Sequence, residues 1–279
     1  MQAFFTTING LRTRYFKAGA GPALVLIHPV GYPAEIFARN IDALAAHRTV
    51  VAPDLPGQGF SDAPDQWGLA PQVFMAQQIC ALAQDLGFER FAILGSSLGG
   101  LVAALVALRA PEAVEGLVVV GSGSVFNEPS NQPAVLQKVM ANGSRAYQTP
   151  SLDSCRQRIA NTCFRAPDAD DIHLAHITAY ALPGAEAAYR SIIEGLSATV
   201  ADPACNVYPH LEQIQTRTMV VLGRNDVRTS VETHAAGVNR LQDARLHVMD
   251  GCGHLPFLEH PSAFNTLVQD FLPYRAKKT

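Results

Sequence analysis

Phe91-Ala92-Ile93-Leu94-Gly95-Ser96-Ser97-Leu98-Gly99-Gly100 is the stretch that decides the fold. Four apolar residues run into a Gly-x-Ser-x-Gly turn, and a second apolar run, residues 101–108, follows it. That order predicts a short strand, a sharp turn and a helix. Glycine stands on both sides of the serine because so tight a turn leaves no room for flanking side chains. Ser97 is then held at a helix N-terminus, where backbone N–H groups and the helix dipole favour developing negative charge. In this context the pattern reads as a nucleophile elbow. A phosphate-binding loop is the competing reading. It would need Gly-x-Gly-x-x-Gly or Gly-Lys-Ser/Thr, and the chain has neither.

Working outward, the same kind of apolar run recurs. Ala23-Leu24-Val25-Leu26-Ile27 is continuous, as a strand buried on both faces of a parallel sheet requires. Further runs follow at residues 49–52, 117–120, 219–222 and 245–249. Helical patterns alternate with them at about residues 33–46, 70–86, 98–109, 230–240 and 260–272. This alternation predicts an α/β fold with a mostly parallel sheet and helices on both faces. At the start of the chain, Asn9-Gly10 between two alternating segments predicts a β-hairpin.

The alternation breaks after the fourth strand run, residues 117–120. The reading divides the chain into a core of residues 1–121 and 216–279 and an inserted helical cap of residues 122–215, rich in Ala, Gln, Asn and Arg. Such an insertion belongs over the C-terminal edge of the sheet, where open α/β folds bind their ligands.

Composition narrows the function classes. The chain has 279 residues, 48% of them hydrophobic and 16% charged, with a net charge of −3. That balance offers no bulk attraction to nucleic acid or anionic lipid, and a small-molecule substrate is expected. Five cysteines without a C-x-x-C pair argue against a disulfide framework and for free thiols in a reducing compartment. With no apparent signal peptide and no run of spanning length, the chain reads as soluble and cytoplasmic. No metal site and no cofactor are expected. Cys252-x-His254 lacks companions at ligand spacing, and Cys252 reads as a small buried hydrophobe.

A serine nucleophile needs a base, and the base needs an orienting acid. Asp226, in Leu222-Gly223-Arg224-Asn225-Asp226, follows one strand run; His254, in Gly251-Cys252-Gly253-His254, follows the next. Both therefore fall at the strand ends that carry Ser97. Asp226 as a plain turn residue, Glu128 as a substitute acid and His254 as a packing histidine are the competing readings. An oxyanion would need two backbone N–H groups. Leu98 supplies one. The loop His28-Pro29-Val30-Gly31 supplies the other through Val30, because Pro29 has no N–H. His28 is expected to brace this loop and to border the substrate.

These pieces resemble the α/β-hydrolase superfamily over essentially the whole chain. They are the His-Pro-Val-Gly loop, the segment Asp54-Leu55-Pro56-Gly57-Gln58-Gly59, the elbow, the Gly-Arg-Asn-Asp loop and Gly-Cys-Gly-His. The resemblance implies the chain order nucleophile, acid, base, and a structural turn at Asp54. Residues 38–44 and 243–248, together with Cys252-Gly253-His254, resemble the meta-cleavage-product hydrolases, which break carbon–carbon bonds in vinylogous diketo acids. That likeness implies that Asn40 borders the substrate, and it brings a homodimer as an expectation. It also implies a cap arginine that holds a carboxylate. The matching segment His176-Ile177-Thr178-Ala179-Tyr180-Ala181-Leu182-Pro183-Gly184 carries none; His176 and Arg190 are the nearest substitutes. The substrate is therefore expected to be an ester, a lactone or a different ketone. A ligand-binding protein without turnover is the alternative class.

Overall fold

The computed structural model describes residues 1–272; residues 273–279 of the expected C-terminal core part lie outside the described residues. Eight strands build one sheet: β1 (Gln2–Ile8), β2 (Leu11–Ala18), β3 (Ala23–Ile27), β4 (Thr49–Pro53), β5 (Phe91–Ser96), β6 (Val114–Val120), β7 (Thr218–Gly223) and β8 (Ala244–Met249). The spatial order is β1-β2-β4-β3-β5-β6-β7-β8. Asn9 and Gly10 turn the first hairpin with positive φ values of 48° and 84°, as a two-residue hairpin turn requires. β2 pairs antiparallel with β4, and every pairing from β4 through β8 is parallel.

The continuous apolar runs have a simple cause. Along β3, Ala23, Val25 and Ile27 pack into one core layer, while Leu24 and Leu26 pack into the other. Helices cover both faces, so neither set of side chains can be polar. α1 (Ala38–Leu44) lies on one side, and α2 (Pro71–Asp85) and α3 (Leu98–Arg109) lie on the other. β6 starts at Val114, three residues before the apolar run at 117. Exposed Glu115 interrupts the pattern there and hides the beginning of the strand from a sequence reading.

Between β6 and β7 the chain forms α4 (Gly123–Phe126), α5 (Gln132–Gln148), α6 (Leu152–Ala160), α7 (Asp170–Tyr180) and α8 (Ala185–Thr199). The core resumes after β7 with α9 (Val231–Val238), and β8 is followed by α10 (Pro256–Glu259) and α11 (Pro261–Phe271). From β3 the chain moves outward in one direction to β4, then crosses to the other side for β5. The sheet therefore has its switch point between β3 and β5, and open α/β sheets bind ligands in the crevice at such a point.

Asp54, at the end of β4, is fully buried and structural. Its carboxylate accepts hydrogen bonds from Arg14 Nε at 2.6 Å and from the Ala34 and Phe60 N–H groups at 2.7 and 2.8 Å. The Asp54 segment is thus a pinned turn that fixes the approach to the switch point.

Candidate active site

Ser97 joins β5 to α3 at φ 53° and ψ −116°, a conformation that costs an L-residue energy unless its surroundings impose it. They do. Its N–H donates to Val120 O at 2.9 Å, and its carbonyl accepts the Ser122 hydroxyl at 2.6 Å. A Cβ on Gly95 would run into the Gly99 carbonyl, and one on Gly99 into the Ile27 carbonyl. The glycines of the motif are therefore steric requirements of packing the elbow against β3.

Asp226 lies in the loop after β7 and His254 in the loop after β8. The two meet: His254 Nδ1 is 2.8 Å from Asp226 Oδ2, with side chains 8% and 1% exposed. The carboxylate can only accept, so Nδ1 carries the proton and Nε2 is left as the basic nitrogen. The other carboxylate oxygen, Oδ1, accepts the Arg228 N–H at 2.7 Å, so the acid cannot rotate away. His254 is fixed in turn by its own N–H, which donates to Thr162 O at 2.9 Å. Gly121, at φ +53°, makes space for the pair. A Cβ there would lie 3.2 Å from Asp226 Oδ2 and 3.3 Å from His254 Nδ1.

Val30 and Leu98 flank Ser97 from the two sides of the switch point, and all three line one cavity with His254. Among the described residues, neither the Val30 nor the Leu98 N–H donates to a protein acceptor. Leu98 is the first residue of α3, where helix geometry leaves the N–H unpaired. The Val30 loop is held from several directions. His28 Nε2 accepts from Leu55 N–H at 2.9 Å, which forces the proton onto Nδ1, and Nδ1 donates to Pro29 O at 2.8 Å. Gln58 Oε1 accepts the Gly31 N–H at 2.5 Å, Tyr147 donates to Gly31 O at 3.3 Å and Arg158 donates to Val30 O at 3.1 Å. Burial pushes the His28 pKa down to about 4, so the ring is neutral at pH 7.

The cavity has apolar walls, among them Leu101, Val135, Leu136, Val139, Leu196 and Val200, with Gln72, Asn127, Gln132, Asn206 and Arg228 as polar points. Its cavity volume is about 60 Å³, so the space is a narrow slot.

Two expected substrate contacts fall outside this lining. His28 is 0% exposed and both its ring nitrogens are occupied, so it can only brace. Asn40 is also 0% exposed; its amide donates to Phe257 O and Asn265 Oδ1, tying α1 to α10 and α11. The two cap substitutes fare similarly. Arg190 is exposed and paired with Glu186, and His176 is packed between the rings of Tyr32 and Tyr180. Cys252 is 0% exposed, as a buried hydrophobe would be.

Sequence reading missed two arginines. Arg228 follows the acid by two residues and lines the cavity. Arg158, in α6, is 4% exposed and sits 4.5–5.5 Å from the rings of Tyr32, Tyr147, Tyr180 and Tyr189. Its pattern, Arg156-Gln157-Arg158, reads as a solvated helix face, and only the fold turns it inward.

The profile of the Alpha/beta hydrolase family matches residues 24–267. The chain is 30% identical, over 96% of its length and 95% of the relative's, to a 2-hydroxy-6-oxo-6-phenylhexa-2,4-dienoate hydrolase of Burkholderia cepacia. It is 29% identical to a 2-hydroxymuconate semialdehyde hydrolase of Pseudomonas sp. (strain CF600), over 94% of the chain and 91% of the relative. Among solved structures it superposes on a 2-hydroxy-6-oxo-6-phenylhexa-2,4-dienoate hydrolase from Rhodococcus sp. strain RHA1. The TM-score is 0.79 and the identity 25%, covering 98% of this chain and 100% of that one.

Proposed function

The chain belongs to the alpha/beta hydrolase family and is a hydrolase, and we propose that it cleaves a small, largely apolar carbonyl compound through Ser97, His254 and Asp226. The observation that carries this reading is the His254–Asp226 hydrogen bond in one cavity with Ser97 and two unpaired backbone N–H groups.

Each group has one task. His254 Nε2 takes the Ser97 proton as Oγ attacks the carbonyl carbon. Asp226 holds the tautomer and stabilises the imidazolium that forms. The Val30 and Leu98 N–H groups receive the negative charge that builds on the carbonyl oxygen. Collapse of this intermediate breaks the bond to the leaving group, which takes the proton from His254; water, deprotonated by His254 Nε2, then attacks the acyl carbon, and Ser97 Oγ leaves with that proton. Residues 122–215 act as the cap: α5 and α8 supply Val135, Leu136, Val139 and Leu196 to the slot.

The bond cleaved is, on this proposal, a carbon–carbon bond of a vinylogous 1,5-dicarbonyl compound, as the resemblance to the meta-cleavage-product hydrolases implies; the relatives are named for a 2-hydroxy-6-oxo-6-phenylhexa-2,4-dienoate and for 2-hydroxymuconate semialdehyde. Ester or lactone hydrolysis is the second reading, since the same residues serve an alkoxide leaving group equally well. Parallel assays on 4-nitrophenyl esters, lactones and vinylogous 1,5-diketones, each with Ser97→Ala as control, test both. Ser97-dependent diketone cleavage is the expected result. Ester turnover with no diketone cleavage overturns the carbon–carbon assignment and leaves the serine mechanism standing.

A further inference from the structure

Beside the slot lies a second, open cleft between α5, α6 and the acid loop. Four of its lining residues are basic: Lys138, Arg145, Arg158 and Arg228. None is acidic, in a chain whose net charge is −3. Arg228 lines both the cleft and the slot.

The charges of this cleft are unmatched. Among the described residues, Lys138, Arg145, Arg158 and Arg228 form no salt bridge. Buried Arg228 Nη1 and Arg158 Nε and Nη1 have no hydrogen-bond partner. The nearest carboxylate in the loop is already committed, since Asp226 binds His254 with one oxygen and the Arg228 N–H with the other. Burial lowers the Arg228 pKa from its ordinary value, and the nearby Tyr32, Tyr189 and Asp226 offset this only in part. A half-buried guanidinium with an unpartnered nitrogen gains from an anion, and a planar fork of N–H donors suits a carboxylate geometrically.

We propose that Arg228 is a specificity-determining residue for an anionic tail on the substrate, and that the tail lies in the basic cleft while the carbonyl sits at Ser97. This deepens the serine hydrolase reading and rests on it for the position of the reacting carbonyl. The preferred substrate is then an amphiphile: an apolar chain in the slot, ending in a carboxylate held by Arg228. Arg228 acts as the anchor. Lys138 and Arg145, exposed on α5, add long-range attraction that salt screens.

Two isosteric pairs test this. On the acyl side, 4-nitrophenyl hexanoate is compared with the mono-4-nitrophenyl ester of adipic acid. On the leaving-group side, phenyl hexanoate is compared with 4-carboxyphenyl hexanoate. The readout is the ratio of kcat/KM, charged over neutral, which cancels any general damage to the enzyme. In at least one pair the ratio should fall about 10- to 100-fold in Arg228→Met, the range expected for losing a hydrogen-bonded charge partner. Arg228→Lys should retain most of it. Lys138→Met with Arg145→Met should lower it only a few-fold and flatten its salt dependence. An unchanged ratio in both pairs for Arg228→Met overturns the proposal, even if Ser97-dependent turnover of neutral esters persists and the serine reading survives. Calorimetric binding of adipate and hexanoate to the Ser97→Ala protein tests it without turnover. Arg228-dependent preference for adipate supports it; equal binding of the two, or none, overturns it.

Discussion

The acid–base pair at the sheet edge and the segment between β6 and β7 differ in how their buried polar groups are matched. At the edge, Asp226 is paired with His254 and Arg228 N–H, His28 with Leu55 and Pro29, and Asp54 with Arg14 and two backbone N–H groups, while Gln58 Nε2, Ser96 Oγ and Asn40 Oδ1 in the core have no partner among the described residues. Under the covering segment, Arg158 Nε and Nη1, His173 Nε2, His176 Nε2 and Tyr180 OH have no protein partner among the described residues. A fully satisfied network fixes one geometry, and a partly satisfied one keeps capacity for another molecule. On the proposed function, the frame carries the reaction, and the segment and its seam choose what reacts.

The comparison breaks most visibly at the acid. Asp226→Asn keeps the shape but no longer enforces the tautomer, and kcat on an ester substrate should fall about 10³- to 10⁴-fold. Steady-state kinetics at pH 7 check this; a loss under tenfold would mean that the Asp226–His254 pairing is only structural.

Asp54 probes the frame itself. Asp54→Ala would strand Arg14 and two backbone donors in the interior, and should destabilise by about 3–5 kcal/mol. Urea unfolding measures it. A change below 1 kcal/mol, roughly the value of one ordinary hydrogen bond, would contradict the pinned-turn account.

His28 carries a pH signature. Its folded pKa, about 4, lies below the ordinary histidine value, so the folded state binds fewer protons than the unfolded one. Its contribution is present above about pH 6.5 and is lost as pH falls towards 4, amounting to about 3 kcal/mol at the acid end. The stability gap between wild type and His28→Gln should therefore shrink between pH 7 and pH 4. A gap that is constant with pH would show that His28 is not held neutral.

Arg158 gives the smallest effect. Arg158→Met removes a buried cation that has no carboxylate partner, so stability should change by less than about 1 kcal/mol. The donor to Val30 O is lost, however, and kcat should drop about tenfold as the oxyanion loop loosens. A large loss of stability with unchanged kcat would reverse this assignment and make the tyrosine-lined cation a structural element only.

The same contrast explains what the sequence could reveal. Strand ends were legible because each apolar run between residues 23 and 249 stops where a parallel strand must stop, and the chemistry-bearing residues come immediately after. The elbow, Asp226 and His254 all announce themselves in this way. Residues 122–215 have no such ruler. Which face of α6 turns inward depends on tyrosines from the β3 loop, α5, α7 and α8, so Arg158 could not be told from its exposed neighbour Arg156. Arg228 sits in a polar turn, where an arginine is ordinarily solvated; only the meeting of two cavities at that turn gives it a role. His28 braces its loop as expected, and the bonds of Asn40 to Phe257 and Asn265 show that a residue near a site in sequence is equally suited to bracing it.

The central claim is that Ser97 is an activated nucleophile. The direct measurement is labelling with a fluorophosphonate, followed by mass spectrometry of the modified peptide. The account predicts one adduct, on Ser97, that forms rapidly in the wild type, slows strongly in His254→Ala and is absent from Ser97→Ala. No adduct on the wild type, or equal labelling of Ser97→Ala, would contradict it.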